Sequence, residues 1–399
     1  MAAALALASL GTRPAEARGE PPPPDVPARS YLLLDGDDGD ILAARGADRQ
    51  SSIASTTKLM TAYVARRSLR LGETVTAPAY QALAAESLLG LEAGERIRVR
   101  DLLYGLLLVS GNDAAVALAE ASAGSVPSFV DRMNRAARRL GLDDTSYANP
   151  IGLDEPGNYS TARDLAELTI ELRRDRIFRR IFDTAGYETR SGLRPRQLTN
   201  RNTLVLTVPW VNGVKTGHTL GAGYVLIASG ERRDVELVAA VLGAPSEAAR
   251  DEASLELLSY GHSLYRRERA VREGERLAAA GVRDQGLTLP LVAAADARIT
   301  RREDEPLETE VRAPAELDGP IDRGERLGAV LVSVDGEEVA RVPLLAARDV
   351  PEPSLLERLD ATVPGSRAFR WGLALACGAA LLAFGLGLRA RRRGSRGLG

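Results

Sequence analysis

The sequence predicts an α+β fold, with helices packed on an antiparallel sheet, followed by a small all-β domain. Three observations point there. A β-hairpin opens the chain, residues 99 to 182 carry helical periodicity, and strands resume after residue 204 before a closing helix. Beyond Arg269 the character changes to short β-like runs separated by Gly, Pro and Asp.

In chain order, residues 1–27 form a signal-like segment and a Pro-rich linker. An apolar start leads to Ala15-Glu16-Ala17, a small-x-small cleavage pattern, and then to Pro21–Pro24. Residues 28–268 form the first folded domain. Tyr31–Leu34, a Gly36–Gly39 turn and Ile41–Ala43 predict the hairpin. The apolar run Leu59, Met60, Ala62, Tyr63, Val64, Ala65 predicts a central, buried helix. Val99–Ala123 is largely helical, with Asp101 as its N-cap, and is interrupted at Ser110-Gly111-Asn112. A further helix starts near Pro127, carries Phe129, Met133, Ala137 and Leu140, and stops at Gly141. Thr161 with Asp164 three residues on marks the start of a helix reaching about Phe182. Strands are predicted at Leu204–Leu206, Val211–Thr216, Gly223–Ala228 and Val235–Leu242, and an amphipathic helix at Ser246–Tyr265.

Residues 269–350 form the small β-rich domain, with strands at Leu287–Leu289, Val330–Val332 and Val339–Val342, and 351–370 a linker. Trp371–Leu388 carries no charge and is just long enough to cross a bilayer as a helix. The basic tail 389–399, with Arg389, Arg391, Arg392, Arg393 and Arg396, predicts a cytoplasmic C-terminus and an extracytoplasmic catalytic part.

The bulk numbers exclude several function classes. A formal charge of −2 offers no basic excess for nucleic acid. The one cysteine, Cys377, precludes an intrachain disulfide. With only His218 and His262 besides, no zinc site of usual Cys/His composition is possible, so no metal or cofactor is expected.

The chemistry is concentrated in three short stretches. In Ser55-Thr56-Thr57-Lys58, residues three apart share a helix face, so Lys58 is placed to take the proton of Ser55. The helix N-terminus adds its positive dipole end. This is the S-x-x-K arrangement of serine acyl-transfer enzymes. The basic residues are arginine everywhere except Lys58 and Lys215. A guanidinium stays protonated, whereas a buried ammonium gives up its proton. Ser110-Gly111-Asn112 breaks a helix, and there Ser110 is placed to relay a proton while Asn112 binds substrate backbone. Lys215-Thr216-Gly217 lies on a strand, where Gly217 admits a substrate backbone and Lys215 attracts a carboxylate. Lys215, if near, also biases Lys58 toward its neutral form.

These motifs, with Ser110–Ala115, Met133-Asn134, Asn149-Pro150, Gly152–Asp154, Tyr159–Asp164, Asn200–Asn202 and Asn212–Thr219, resemble the penicillin-binding D-alanyl-D-alanine carboxypeptidases of low molecular mass, serine peptidase family S11. The resemblance runs from about Ala28 to Val350 and implies a β-lactamase/transpeptidase-like domain. It implies removal of the terminal D-alanine from peptidoglycan stem peptides and inhibition by β-lactams. Ser55 is then the acylated nucleophile, Lys58 its base and Ser110 a proton relay. Asn112, Lys215, Thr216 and Gly217 bind substrate. The backbone N–H groups of Ser55 and His218 form the oxyanion hole, and Arg250 lies near the substrate carboxylate. Two departures stand out: an apolar tail long enough to span the membrane, and Ile151 where many relatives carry histidine. Two other functions fit part of the pattern. One is a class A β-lactamase, although Glu155-Pro156-Gly157-Asn158 is one residue short of that family's E-P-x-L-N. The other is a non-catalytic, membrane-tethered wall-binding protein.

Overall fold

The computed structural model describes residues 21–354. The start of the signal-like segment, most of the 351–370 linker, the membrane-spanning helix expected at 371–388 and the basic tail lie outside the described residues. Among the described residues, no helix is long and apolar enough to cross a membrane. The chain divides into two compact units between Arg266 and Arg267.

The first unit is mixed α and β. Strands β1 (Ser30–Asp35) and β2 (Ile41–Arg45) form the hairpin, and a 3₁₀ turn (Ala54–Thr57) leads into α1 (Lys58–Ser68). A short pair, β3 (Thr74–Thr76) and β4 (Arg96–Arg98), precedes α2 (Val99–Leu108), α3 (Asn112–Ala123) and α4 (Val126–Arg139). Then come α5 (Ala162–Arg173), α6 (Arg176–Phe182), the pair β5 (Gly186–Glu188) and β6 (Gln197–Thr199), and α7 (Thr203–Thr207). The strands β7 (Val211–Thr219), β8 (Gly223–Arg232) and β9 (Val235–Ala244) lead to the closing α8 (Glu247–Leu264). The main sheet is antiparallel, in the order β2-β1-β9-β8-β7.

Side chains alternate across a strand, and the sheet uses both faces. Leu32, Leu34, Val225, Ile227, Val238 and Ala240 join the core built around α1, whose residues Lys58 to Ala65 are all buried. Leu33, Leu226, Leu237, Ala239 and Val241 face α8, which buries Ala253, Leu257 and Leu258 against them. Gly261 lets α8 approach closely, since a Cβ there would lie 2.6 Å from Leu237 Cδ1. Truncating a core side chain such as Leu59 to alanine costs about 2–5 kcal/mol in such surroundings.

Three expectations are corrected. Leu204–Leu206 lies in the helical turn α7, because the Asn202 side chain accepts from Leu204 N (3.2 Å) and starts a helix there. Asp101 does not cap α2, whose N-cap position is Arg98; its carboxylate instead accepts from Tyr187 Oη (2.6 Å) and the Ser191 hydroxyl. The helix beginning at Thr161 ends at Arg173, and Asp175 starts α6 by accepting from Ile177 N (3.0 Å). The pairs β3–β4 and β5–β6 were not anticipated. Each strand is three residues long, too short to show a period. The Thr161 cap is as expected, accepting from Asp164 N at 3.0 Å.

The second unit is all β. Strand β10 (Tyr265–Val271) pairs with β13 (Ala297–Arg302). A larger sheet contains β11 (Arg276–Val282), β12 (Leu287–Ala293), β14 (Leu307–Arg312), β15 (Glu316–Leu317), β16 (Arg326–Val334) and β17 (Glu337–Ala346), in the order β14-β16-β17-β12-β11-β15. Its core is Ala280, Leu289, Leu291, Val330, Val332, Val342 and Leu344.

Candidate active site

Ser55 sits on the 3₁₀ turn just ahead of α1. Thr56 ties this turn down, its Oγ1 donating to Ile53 O at 2.6 Å. Two glycines let backbone close around it. A Cβ on Gly152 (φ +89°) would lie 2.1 Å from Ala54 O, and one on Gly217 would lie 3.0 Å from Ser55 N. The nucleophile turn is therefore held between the 149–152 loop and β7, at distances no larger residue permits without displacement.

Lys58 is the first residue of α1 and has no exposed surface. Its Nζ donates to Ser55 Oγ at 3.0 Å and to the Ile151 carbonyl. That carbonyl is aimed by Asn149, whose Oδ1 accepts from Ile151 N (3.2 Å) and Gly152 N (2.7 Å), while Thr61 Oγ1 donates to Pro150 O (2.6 Å). The contact with Lys58 is made by backbone, so the side chain at 151 takes no part in it. Burial pushes the Lys58 amine down to about 7; Glu86 and Asp113 oppose this and Arg201 reinforces it. An amine near 7 is half neutral at physiological pH and within reach of a hydroxyl, which is what a general base requires.

Ser110 lies between α2 and α3 with φ +62°, a left-handed conformation unusual for a residue with a side chain. Its hydroxyl is buried and has no hydrogen-bond partner among the described residues. A buried, unsatisfied hydroxyl is costly unless it serves something that binds there. Asn112 opens α3; its Nδ2 donates to Glu86 Oε2 (2.8 Å) and its N–H to Ser87 O (2.8 Å). Asp113 accepts from Leu89, Gly90 and Leu91 N (2.8, 2.7 and 2.8 Å), fixing the loop opposite.

The third motif lies on β7, at the edge of the main sheet. Lys215 is buried, and its Nζ donates to Thr216 O at 2.8 Å. Burial holds its amine well below the usual lysine range, and repulsion by Lys58, Arg201 and Arg250 adds to this. His218 is exposed, with its ring stacked on Tyr224 at 4.1 Å.

A cavity of about 500 Å³ opens over these groups, lined by Ser55, Ser110, Thr216, Gly217, Arg201 and Arg250 among others. The structure thus brings together all three motifs and Arg250. Arg250 Nη2 lies 2.9 Å from Glu247 Oε1 and 2.7 Å from Asp251 Oδ1. The cations lining the cavity are guanidiniums, whereas the sequence assigned carboxylate attraction chiefly to Lys215. Sequence reasoning did not single out Arg201 or Glu86. For Arg201 the signal lay in Asn200-Arg201-Asn202. Asn200 Nδ2 donates to Thr184 O (3.1 Å) and Asn202 Nδ2 to Gly213 O (2.8 Å), and these anchors leave the arginine between them at the cavity. Glu86 gave no local signal. Glu155 is exposed and accepts from Asn149 Nδ2 at 2.9 Å, and it is not among the cavity residues. Among the described residues, no group of three His, Cys, Asp or Glu side chains converges as a metal site.

Comparison with known proteins follows the same division. Residues 16–246 match the model of the peptidase S11 family, D-alanyl-D-alanine carboxypeptidase, and residues 265–352 that of the penicillin-binding protein 5 C-terminal domain. The chain is 32% identical over 359 residues to D-alanyl-D-alanine carboxypeptidase DacA of Haemophilus influenzae, covering 84% of this chain and 88% of that protein. It is 30% identical over 346 residues to DacF of Bacillus subtilis, with 84% and 89% covered. The crystal structure of penicillin binding protein 5 from Haemophilus influenzae is similar with a TM-score of 0.59 at 31% identity, covering 83% of this chain and 99% of that one.

Proposed function

The chain belongs to the peptidase S11 family, and from that premise we propose that it is a serine D-alanyl-D-alanine carboxypeptidase acting on peptidoglycan stem pentapeptides. Neutral Lys58 removes the Ser55 proton, and Ser55 Oγ attacks the carbonyl of the penultimate D-alanine. Two backbone donors, the N–H groups of Ser55 and His218, hold the oxyanion; each such donor is typically worth about 2.7–4 kcal/mol. Ser110 relays the proton to the departing amine, terminal D-alanine leaves, and water hydrolyses the ester. Asn112 and the β7 edge at Thr216 and Gly217 hold the peptide backbone. Lys215, Arg250 and Arg201 draw its terminal carboxylate. Benzylpenicillin acylates the same serine and leaves slowly.

The observation that carries this reading is a fully buried amine, shifted to about 7, at 3.0 Å from the serine hydroxyl. The uncharged stretch 371–388 with the arginines that follow supports a single-pass anchor, with the catalytic unit outside the cell membrane and the C-terminus in the cytoplasm. The test is intact mass of the protein after benzylpenicillin, followed by D-alanine release from a synthetic pentapeptide. A single covalent adduct on Ser55 together with D-alanine release is expected. Rapid penicillin turnover without D-alanine release would overturn the assignment in favour of a β-lactamase, and absence of any adduct in favour of a binding protein.

A further inference from the structure

We propose that Glu86 is a positioning residue for acylation, gripping the Asn112 amide so that it presents a fixed face to the substrate. This rests on Asn112 binding substrate as set out above. Glu86 lies in the long connection between β3 and β4. Its Oε1 accepts from Leu83 N (3.1 Å), and its Oε2 accepts from Asn112 Nδ2 (2.8 Å) and from the Tyr80 hydroxyl. An ionised carboxylate only accepts, so the NH₂ end of Asn112 must face it and Oδ1 is turned away. A neutral amide at 86 would allow either orientation.

The grip is returned from α3. Asn112 N donates to Ser87 O, and Asp113 holds the N–H groups of Leu89, Gly90 and Leu91. Ala85 and Ser87, the neighbours of Glu86, line the cavity with Ser55 and Ser110. The Glu86 segment is therefore a wall of the site, and its carboxylate is fully engaged within the protein.

The charge of Glu86 does not help the base. Lys58 is faced by Glu86 and Asp113, which favour its proton, by Arg201, which disfavours it, and by Lys215, which it repels. A carboxylate that stabilises protonated Lys58 works against proton abstraction. Its benefit is accordingly geometric, acting through Asn112.

The experiment measures benzylpenicillin acylation of Ser55 across pH for the wild type, Glu86→Gln, Asn112→Ala and the double variant. In Glu86→Gln the high-pH plateau is expected to fall about tenfold, the worth of one hydrogen bond to a charged group. The acid limb moves to lower pH, because a charge favouring protonated Lys58 has gone. In the Asn112→Ala background the plateau effect of Glu86→Gln vanishes. A plateau within twofold of wild type, an unmoved acid limb, or the same loss in both backgrounds would overturn the proposal. Failure of the wild type to acylate would instead refute the carboxypeptidase reading, so the two failures are distinguishable.

Discussion

The sharpest consequence of the site geometry concerns the pH at which Ser55 becomes reactive. An ordinary lysine, with a pKa near 10.4, is neutral in about one molecule in 2,500 at pH 7. Burial brings Lys58 to about 7, so about half the molecules hold the free amine. The shift therefore raises the population of competent base by about three orders of magnitude. Acylation by a chromogenic penicillin, followed by stopped flow, should show an acid limb with a midpoint near 7. Below that midpoint the rate should fall about tenfold per pH unit. Lys58→Arg keeps a cation but cannot release a proton, and it loses the whole contribution of a general base, about 10²–10⁴-fold. A midpoint near 10, or Lys58→Arg within tenfold of the wild-type rate, would refute the role given to this amine. A larger loss in Lys215→Arg than in Lys58→Arg would reverse the assignment of the two lysines.

Three further outcomes follow from the same geometry. Lys58 is depressed in the folded state and ordinary in the unfolded one, so folding at neutral pH displaces its proton. Its penalty is present in full below pH 7 and is relieved as pH rises toward 10, on the order of 1.4 kcal/mol per unit. Lys58→Met should thus raise the denaturant midpoint at pH 7, with the gain shrinking at alkaline pH. Gly152→Ala would place a methyl 2.1 Å from Ala54 O at a positive φ. It should destabilise the fold by roughly 1–3 kcal/mol in urea titration and slow acylation, since the turn it displaces carries Ser55. Arg201→Ala and Arg250→Ala should each raise KM for a pentapeptide with a free carboxylate while leaving turnover of its C-terminal amide nearly unchanged. Equal losses on both peptides would remove these arginines from carboxylate recognition.

Local patterns disclosed much of the fold. The Thr161 cap, the stop at Gly141 and the hairpin strands depend on neighbours a few residues apart, and they lie where the sequence puts them. Leu204–Leu206 misled because three apolar residues fit a strand or a helical turn equally well. Asn202 decided between them, and it is held in place by Gly213, eleven residues on. The site divides in the same way. S-x-x-K, S-G-N and K-T-G are contiguous, so their chemistry is visible in the letters. Glu86 reaches Asn112 across 26 residues and leaves no local trace, whereas Arg201 is flagged only by the asparagines on either side, whose anchors lie on other segments.

By itself the sequence determined the kind of chemistry: a hydroxyl and an amine three residues apart on one helix face, in a chain that otherwise uses arginine as its cation. Only the tertiary structure decided whether that amine is a base. Its pKa is set by loss of water on every side, with the Ile151 carbonyl of the 149–152 loop and the Ser55 hydroxyl as its hydrogen-bond partners. Desolvation is a property of the assembled surroundings and not of any four-residue stretch.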